Sequence, residues 1–155
     1  MNDSARLAPR RARAPLSGRA AREDPLLVAL LQAAHGLQEQ VDRALAELNL
    51  SYPRFDLLNI LVDAGEAVSM SELSDRLACV RSNVTQLVDH LEANGLVQRV
   101  ADPADRRILR AAITPRGEER QAMAARVFEK VQADFTEKLS DVERAALERG
   151  LSALM

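Results

Sequence analysis

Two short polar stretches hold the side chains with which this sequence can do chemistry. The first runs from Ser82 to Gln86 and contains hydroxyl and amide side chains, and the second places Asp105 two residues before Arg107. Amides pair with the edges of adenine bases, whereas a guanidinium oriented by a carboxylate suits the narrow, electronegative minor groove. A polar helix face is also typical of a solvated surface, so the first stretch alone leaves both interpretations open. The second stretch favours recognition of duplex DNA.

Basic residues surround both stretches. Between positions 76 and 116, seven arginines oppose four carboxylates, whereas the whole chain has a net charge of -2. Positive charge attracts nucleic acid by neutralising phosphates and releasing counterions. The arginines and the polar residues together give the predicted DNA-contacting set: Arg81, Ser82, Asn83, Thr85, Gln86, His90, Asp105, Arg106, Arg107 and Arg110.

Catalysis and metal binding have no suitable set of residues. His35 and His90 lie far apart in sequence, Cys79 is the single cysteine, and there is no glycine-rich phosphate loop. A nucleophile would therefore lack a neighbouring base, and metal ligands would lack their usual spacing. We expect neither an enzyme nor a cofactor. None of the four aromatic residues lies in the basic segment, which disfavours single-stranded nucleic acid because its binding needs stacking platforms.

Two short helices are predicted to position the first stretch. Apolar residues at three- and four-residue spacing predict one helix within 68–78. The next helix is predicted to start near Arg81 or Ser82 and to end at Asn94-Gly95, because Asn and Gly tolerate a left-handed turn. The predicted core-facing residues of this second helix are Val84, Leu87, Val88 and Leu91.

A β-hairpin is predicted to position the second stretch. Residues 96–100 and 108–113 carry apolar side chains typical of strands, and the polar, basic loop 101–107 joins them. Helix, turn, helix and hairpin in this order predict a winged helix-turn-helix, whose second helix enters the major groove of DNA. The predicted fold class is therefore mainly α with a small β-hairpin wing.

Longer helices flank this unit. Asp24 and Pro25 predict the start of a helix of about 24 residues, roughly 36 Å long, which exceeds the needs of a small domain and indicates packing on a second subunit. Residues 51–65 predict a further helix with Val62 on its apolar stripe. The last third is predicted to hold a helix capped by Thr114 with Met123 on its stripe, and a helix that begins with a capping box at 140–143.

The first 22 residues differ from the rest of the chain. They carry six arginines against one carboxylate and show no apolar periodicity, which predicts a disordered arm. A DNA-contacting arm, an inert tail and a transit peptide all remain open for this segment. The sequence has neither an apolar run of about 20 residues nor a signal-peptide pattern, which predicts a cytoplasmic protein without a membrane partner.

The central segment resembles the MarR family of bacterial winged helix-turn-helix regulators. The resemblance rests on three motifs: Met70-Ser71-Glu72-Leu73 followed by Arg81-Ser82-Asn83-Val84-Thr85-Gln86-Leu87; Gly95-Leu96-Val97 with Asp102-Pro103-Ala104-Asp105-Arg106-Arg107; and Ile113-Thr114-Pro115-Arg116-Gly117. It implies one subunit over 23–155, with dimerisation helices at 24–50 and 116–155 around a winged helix-turn-helix at 51–115. This sequence departs from the family at Gln86 and His90, where many members carry arginine.

The resemblance also implies partners and residue roles. It implies a homodimeric repressor that binds a near-palindromic operator in double-stranded DNA, with Asp105 bracing the wing and Arg107 entering the minor groove. A small, phenolic or other aromatic ligand is expected to release the DNA from a crevice between the dimerisation helices and the winged unit. The candidate ligand residues are His35, Tyr52 and Phe55, and the alternatives are a solvated or interface-edge histidine and core packing of the two aromatic rings.

Two alternative functions stay open at this point. A winged unit with long helices also serves as a protein-interaction module, in which DNA is not the partner. A regulator that senses oxidation through Cys79 is the other alternative, but a reactive thiol must be exposed and have a low pKa. Cys79 falls in the turn between the two short helices, where we expect a small buried side chain instead.

Overall fold

The computed structural model describes residues 24–154, so the predicted arm at 1–22 lies outside the described residues. Over the described part the chain is mainly helical with a small antiparallel sheet, and both the fold class and the order of elements agree with the prediction. The elements are α1 Pro25–Leu45, a 3-10 turn Ala46–Leu48, α2 Tyr52–Ala64, β1 Val68–Ser69, α3 Met70–Arg76, α4 Arg81–Ala93, β2 Val97–Ala101, β3 Leu109–Ile113, α5 Pro115–Thr136 and α6 Asp141–Ser152.

Side-chain caps set the helix boundaries. Asp24 Oδ1 accepts a hydrogen bond from the backbone N–H of Leu26 at 2.8 Å, and Pro25 occupies the first helical position, as predicted. Thr114 Oγ1 likewise accepts from Gly117 N at 3.0 Å at the start of α5. The capping box of Ser140 and Glu143 at the start of α6 is confirmed.

The α-helical part of the first predicted helix is shorter than expected. The last three residues of the predicted helix form the 3-10 turn, which ends at Asn49 with a left-handed φ of 56°. Asparagine is among the few residues that adopt this conformation readily. The turn redirects the chain into α2, where Asp42 Oδ1 accepts from the backbone N–H of Tyr52 at 2.6 Å. At the other end of α2, Gly65 adopts a φ of 65° and ends the helix as predicted.

The sheet has a third strand that the sequence did not reveal. Val68 and Ser69 were predicted to begin a helix, but they form β1, which pairs antiparallel with β3 so that Val68 lies opposite Ala111. The strand order is β1-β3-β2. The helical prediction was wrong for Val68 and Ser69, because a two-residue strand has no periodicity and depends on pairing with a distant segment. α3 begins at Met70, and Ser69 Oγ caps it by accepting from Glu72 N at 3.2 Å.

The hairpin is confirmed with a later start to its second strand. Ile108 was predicted to belong to that strand, but β3 begins at Leu109 and the Ile108 side chain is exposed. Ile108 instead closes the wing loop, since its N–H donates to Asp105 O and its carbonyl accepts from Asp102 N, both at 2.9 Å. Loop closure through main-chain bonds therefore displaces the strand boundary by one residue.

The core lies between the end of α1, helices α2 to α5 and the sheet. Val62 and Met123 were predicted to face it, but both are exposed, and Leu57 and Ala124 are buried in their helices instead. An apolar side chain at the edge of a helix stripe is buried only if a neighbouring element covers it. The buried apolar residues are Leu45, Leu50, Phe55, Leu57, Leu58, Leu61, Val68, Leu73, Val84, Val88, Leu91, Leu96, Val97, Ala111 and Ala124.

The ends of the described chain expose an apolar surface. Leu26 and Leu27 at the start of α1 and Leu147, Leu151 and Leu154 near the end of the chain are all exposed. They line a cavity of about 450 Å³ between the two helices, and α6 has no buried residue. Among residues 24–154, no helix is long and apolar enough to cross a membrane.

Candidate nucleic-acid interface

The polar face of α4 is open to solvent over the predicted reading residues. Ser82, Asn83, Thr85 and Gln86 are exposed, while the opposite face packs into the core. Val84, Val88 and Leu91 are buried as predicted, and Leu87 is half-buried. The helix is therefore anchored in the core by its apolar side and presents hydroxyl and amide groups to solvent.

Two hydrogen bonds arrange the start of this helix. The Arg81 guanidinium donates through Nη2 to Ser71 Oγ on α3. Thr85 Oγ1 donates to the Arg81 carbonyl at 3.1 Å. Arg81 is thus linked to the preceding helix, which holds α3 and α4 together at the turn. The Thr85 hydroxyl has its hydrogen committed to the backbone and offers only lone pairs to a partner.

His90 sits differently from the rest of the predicted set. It was predicted to face outward, but it is half-buried, and its Nε2 is buried without a hydrogen-bond partner in the described part of the chain. Its carbonyl accepts from Asn94 Nδ2 at 2.7 Å. A side chain at the edge of a polar helix face is buried or exposed according to which other elements pack beside it. Helical periodicity alone does not predict those neighbours.

The wing tip presents two arginines. Arg106 and Arg107 are exposed, and 94% of the Arg107 side chain is accessible. Asp105 Oδ1 accepts from the backbone N–H of Arg107 at 3.0 Å and lies 3.6 Å from its Nε. The carboxylate therefore fixes the backbone of Arg107 and leaves its guanidinium pointing into solvent.

A second carboxylate, absent from the predicted DNA-contacting set, organises the wing loop. Asp102 is buried, and its Oδ1 accepts from Ala104 N at 2.7 Å and Asp105 N at 3.0 Å. Its Oδ2 accepts from Arg110 Nε. The Asp102-Pro103 pair is a typical turn signal and was the clue to this role, because aspartate side chains bind the backbone two residues on.

Arg110 holds the base of the wing instead of projecting freely from it. Its guanidinium is half-buried, pairs with Asp102, and donates through Nη1 to the Ala67 carbonyl at 3.2 Å, just before β1. The hydrogen bond from Arg110 and those from the Asp105 and Ala104 amides hold the pKa of Asp102 below its ordinary value. The prediction of a phosphate contact for Arg110 thus falls on a side chain already committed to the wing.

Asp102→Asn is expected to destabilise the protein in a pH-dependent way. Because the folded state lowers the pKa of Asp102, the contribution of this carboxylate to stability is fully present above its unfolded value of about 3.9 and is lost as the pH falls through the lower folded value. Urea unfolding at pH 7 should show the variant less stable than wild type, and the difference should shrink near pH 3. Asp63→Asn, at an exposed position, is the control. An equal difference at both pH values would contradict the role assigned to the charge.

A cavity of about 480 Å³ lies beside the polar face of α4. Its walls come from the start of α2 and from the segment that runs from α3 into α4. Of the three predicted ligand residues, Tyr52 lines it. Phe55 is buried against Phe128, and His35 lies on the exposed face of α1 with its Nε2 at 3.3 Å from Glu39 Oε1. The lining residues are Tyr52, Pro53, Arg54, Asp56, Leu77, Cys79, Asn83, Gln86 and Leu87.

Burial shifts the pKa values of two residues in the cavity wall. It raises the pKa of the Tyr52 hydroxyl, with a further contribution from the charge of Asp56, and it raises the pKa of Asp56 itself. Arg54 Nε is buried without a hydrogen-bond partner among residues 24–154. Cys79 is half-buried and packs against the core at this wall, where its carbonyl accepts from Ser74 Oγ at 2.5 Å.

Known proteins share this arrangement. A profile of the MarR family matches residues 48–108. The HTH-type transcriptional regulator YsmB of Bacillus subtilis is 34% identical over 102 residues, which cover 66% of this chain and 69% of YsmB. The crystal structure of the transcriptional regulator BldR of Sulfolobus solfataricus is 32% identical with a TM-score of 0.70 and covers 83% of this chain and 91% of BldR. The repressor CouR, solved on a 23-mer DNA duplex, is 28% identical with a TM-score of 0.75 and covers 83% of this chain and 91% of CouR.

Proposed function

This chain belongs to the MarR family of DNA-binding transcription regulators, and we propose that it is a homodimeric repressor that binds a near-palindromic operator and leaves it when a small aromatic ligand binds. One observation carries the DNA-binding part of the proposal. The exposed hydroxyl and amide face of α4 lies in the same winged unit as Arg107, whose backbone is fixed by Asp105 and whose side chain is 94% exposed.

The proposed reading mode divides the work between two elements. The start of α4 enters the major groove, where Asn83 and Gln86 are suited to pair with adenine edges. The wing lies along the adjacent minor groove, where the narrow walls concentrate negative potential and attract Arg107. Arg106 is placed beside it to meet a phosphate. Gln86 stands where many family members carry arginine. We therefore infer that α4 supplies mainly base specificity and that the wing supplies mainly positive charge.

Selection of binding sites from random duplex DNA tests this proposal directly. A dimer with two winged units should enrich a near-palindrome whose half-sites lie about 10 base pairs apart, centre to centre. Enrichment of a single half-site would overturn the dimeric reading mode. Absence of any enrichment at low salt would overturn DNA as the partner and leave the protein-interaction alternative.

The proposal of a homodimer is supported by the apolar surface at the chain ends. Leu26, Leu27 and Leu151 expose side chains that the other residues within 24–154 do not cover, and α6 has no buried residue. Contiguous apolar surface of this kind is typical of a subunit interface. A second copy of the chain offers the same surface and can cover it around a two-fold axis.

Leu151→Glu is expected to convert the dimer into a monomer and to weaken operator binding at the same time. The glutamate would place a charge within the proposed interface, whereas the winged unit does not depend on this residue. Light scattering gives the mass, and circular dichroism checks the helical content. Ser152→Glu adds the same charge at the neighbouring exposed position and should remain dimeric. A Leu151→Glu variant that keeps the dimer mass would contradict the assignment of this surface.

Repression and ligand release are proposed from the relatives together with the cavity. The repressor IacR of Pseudomonas putida is 31% identical over 112 residues, and CouR has been solved with p-coumaroyl-CoA bound. In this chain the cavity combines the Tyr52 ring and the Leu77 and Leu87 side chains with the polar groups of Arg54. Apolar walls with a few convergent polar groups are typical of a small-ligand site.

A benzoate titration tests the ligand site in the intact protein. Tyr52 is the sole tyrosine and the chain has no tryptophan, so its fluorescence reports on the cavity. Benzoate should change this fluorescence to saturation and lower the affinity for the selected DNA, whereas cyclohexanecarboxylate should do neither. In vitro transcription from a promoter carrying the selected site tests repression. Stimulated transcription would overturn it.

A further inference from the structure

One ion-pair cluster joins the recognition helix to the wing. Arg99 on β2 reaches α4 with a side chain that is 21% exposed, and its Nη2 lies 2.5 Å from Asp89 Oδ1. Its Nη1 donates to Glu92 Oε2. Glu92 also accepts from the backbone N–H of Arg99 through Oε1 at 3.0 Å. Glu92 therefore holds Arg99 by both its main chain and its side chain, and Arg99 in turn meets Asp89.

Asp89 occupies an unfavourable place for a DNA-binding surface. It follows Gln86 by three residues and Ser82 by seven, so the three side chains share the outward face of α4. Its side chain is 58% exposed. A carboxylate on this face meets the negative field of the phosphates as the helix enters the groove, and repulsion between like charges opposes association.

We propose that Arg99 is a positioning residue that neutralises Asp89 on the DNA-reading face, with Glu92 holding the guanidinium in place. The proposal rests on the DNA binding proposed above and adds a requirement that the wing strand supplies the charge that the recognition helix lacks. It gives Arg99 a function at the interface although the guanidinium is mostly enclosed by its own chain.

The protonation of the cluster agrees with this role. Partial burial acts to lower the pKa of Arg99, but hydrogen bonds and charges from Asp89 and Glu92 outweigh burial and raise it. The guanidinium is thus charged throughout the physiological range. Because Asp89 is more than half exposed, the pair contributes little to folding stability. The effect on DNA affinity can therefore be separated from an effect on folding.

A purely structural brace would also make Arg99 important, so the test must distinguish charge from shape. Arg99→Gln should lower the affinity for the selected DNA by on the order of tenfold at low salt, since it leaves two carboxylates unpaired. Adding Asp89→Asn removes the exposed carboxylate and should restore most of the lost affinity. If Arg99 merely held the wing in position, removing Asp89 would restore nothing.

Arg99→Gln combined with Glu129→Gln is the matched control. It has the same net charge as the rescued double variant, but the second change lies at an exposed position on α5, outside the reading face. Affinities are measured by fluorescence anisotropy at about 50 and 200 mM salt, because screening weakens charge repulsion at the higher salt. Thermal melts of the free proteins verify that every variant is folded.

The outcomes separate the two proposals. Recovery with Asp89→Asn that exceeds the recovery with Glu129→Gln, together with a defect that shrinks at high salt, supports the neutralisation of Asp89. Recovery no greater than with the control, or a defect independent of salt, overturns it while wild-type binding still stands. A wild-type protein that binds no duplex DNA overturns the proposed function itself.

Discussion

Arg107→Ala should reduce affinity for the operator by about ten- to a hundredfold, corresponding to about 1–3 kcal/mol for a groove-inserting arginine. The side chain is 94% exposed, and within residues 24–154 its ion pair is the 3.6 Å approach of Nε to Asp105. Its removal therefore leaves folding nearly unchanged, and the loss falls on the complex. Gel-shift or anisotropy titration with the selected site measures it.

The salt dependence of binding gives this prediction its second readout. A contact made in the electronegative groove releases counterions, so the slope of log affinity against log salt should fall by about one for Arg107→Ala. Lys130→Ala removes one positive charge from an exposed position on α5 and is the matched control. Equal affinity and slope for Arg107→Ala and wild type would contradict the wing role.

The arginine content overstates the charge available to DNA. Of the seven arginines between 76 and 116, Arg76 pairs with Glu72 at 2.6 Å and Arg81 donates to Ser71. Arg99 and Arg110 are likewise committed to carboxylates of the chain. Arg106 and Arg107 at the wing tip and Arg116 at the start of α5 remain exposed. Within the wing, the expected loss is therefore concentrated on Arg107.

Local hydrogen bonding explains which features could be predicted. The caps at Asp24, Thr114 and Ser140 and the end of α2 at Gly65 depend on residues within four positions of one another. Such contacts involve residues that are neighbours in the sequence, so these three helix starts, the end of α2 and the order of elements could be predicted from it. The outward placement of Ser82, Asn83, Thr85 and Gln86 followed from helical periodicity in the same way.

Contacts between distant segments explain what could not be predicted. β1 exists because Val68 pairs with Ala111, and Arg110 is committed because it reaches the Ala67 carbonyl and Asp102. The pairing of Arg99 with Asp89 spans ten residues and two elements. Periodicity cannot assign such partners, so residue types indicated a basic wing whereas the fold determined which arginines are free.

Gly117→Ala should destabilise the protein by about 3 kcal/mol or more, because a methyl group at this position has no room. A Cβ there would overlap the backbone oxygen of Leu96 and come within 2.7 Å of Ile113 Cγ1. That oxygen accepts from Thr114 N at 3.0 Å and from Thr114 Oγ1 at 3.2 Å. The clash therefore lies at the junction of β2, β3 and α5. The Leu96 backbone oxygen cannot rotate away from the added methyl group as a side chain could.

The same junction joins the wing to the helix that leads to the proposed dimer interface, so Gly117→Ala should also weaken DNA binding. Gly36→Ala is the matched control, because a Cβ at Gly36 meets nothing within 4 Å, and alanine in place of a mid-helix glycine should stabilise by about 0.5–1 kcal/mol. Urea unfolding measures both variants at one protein concentration, since dimer stability depends on concentration. A Gly117→Ala variant within about 0.5 kcal/mol of wild type, the range of neutral surface changes, would contradict this close approach.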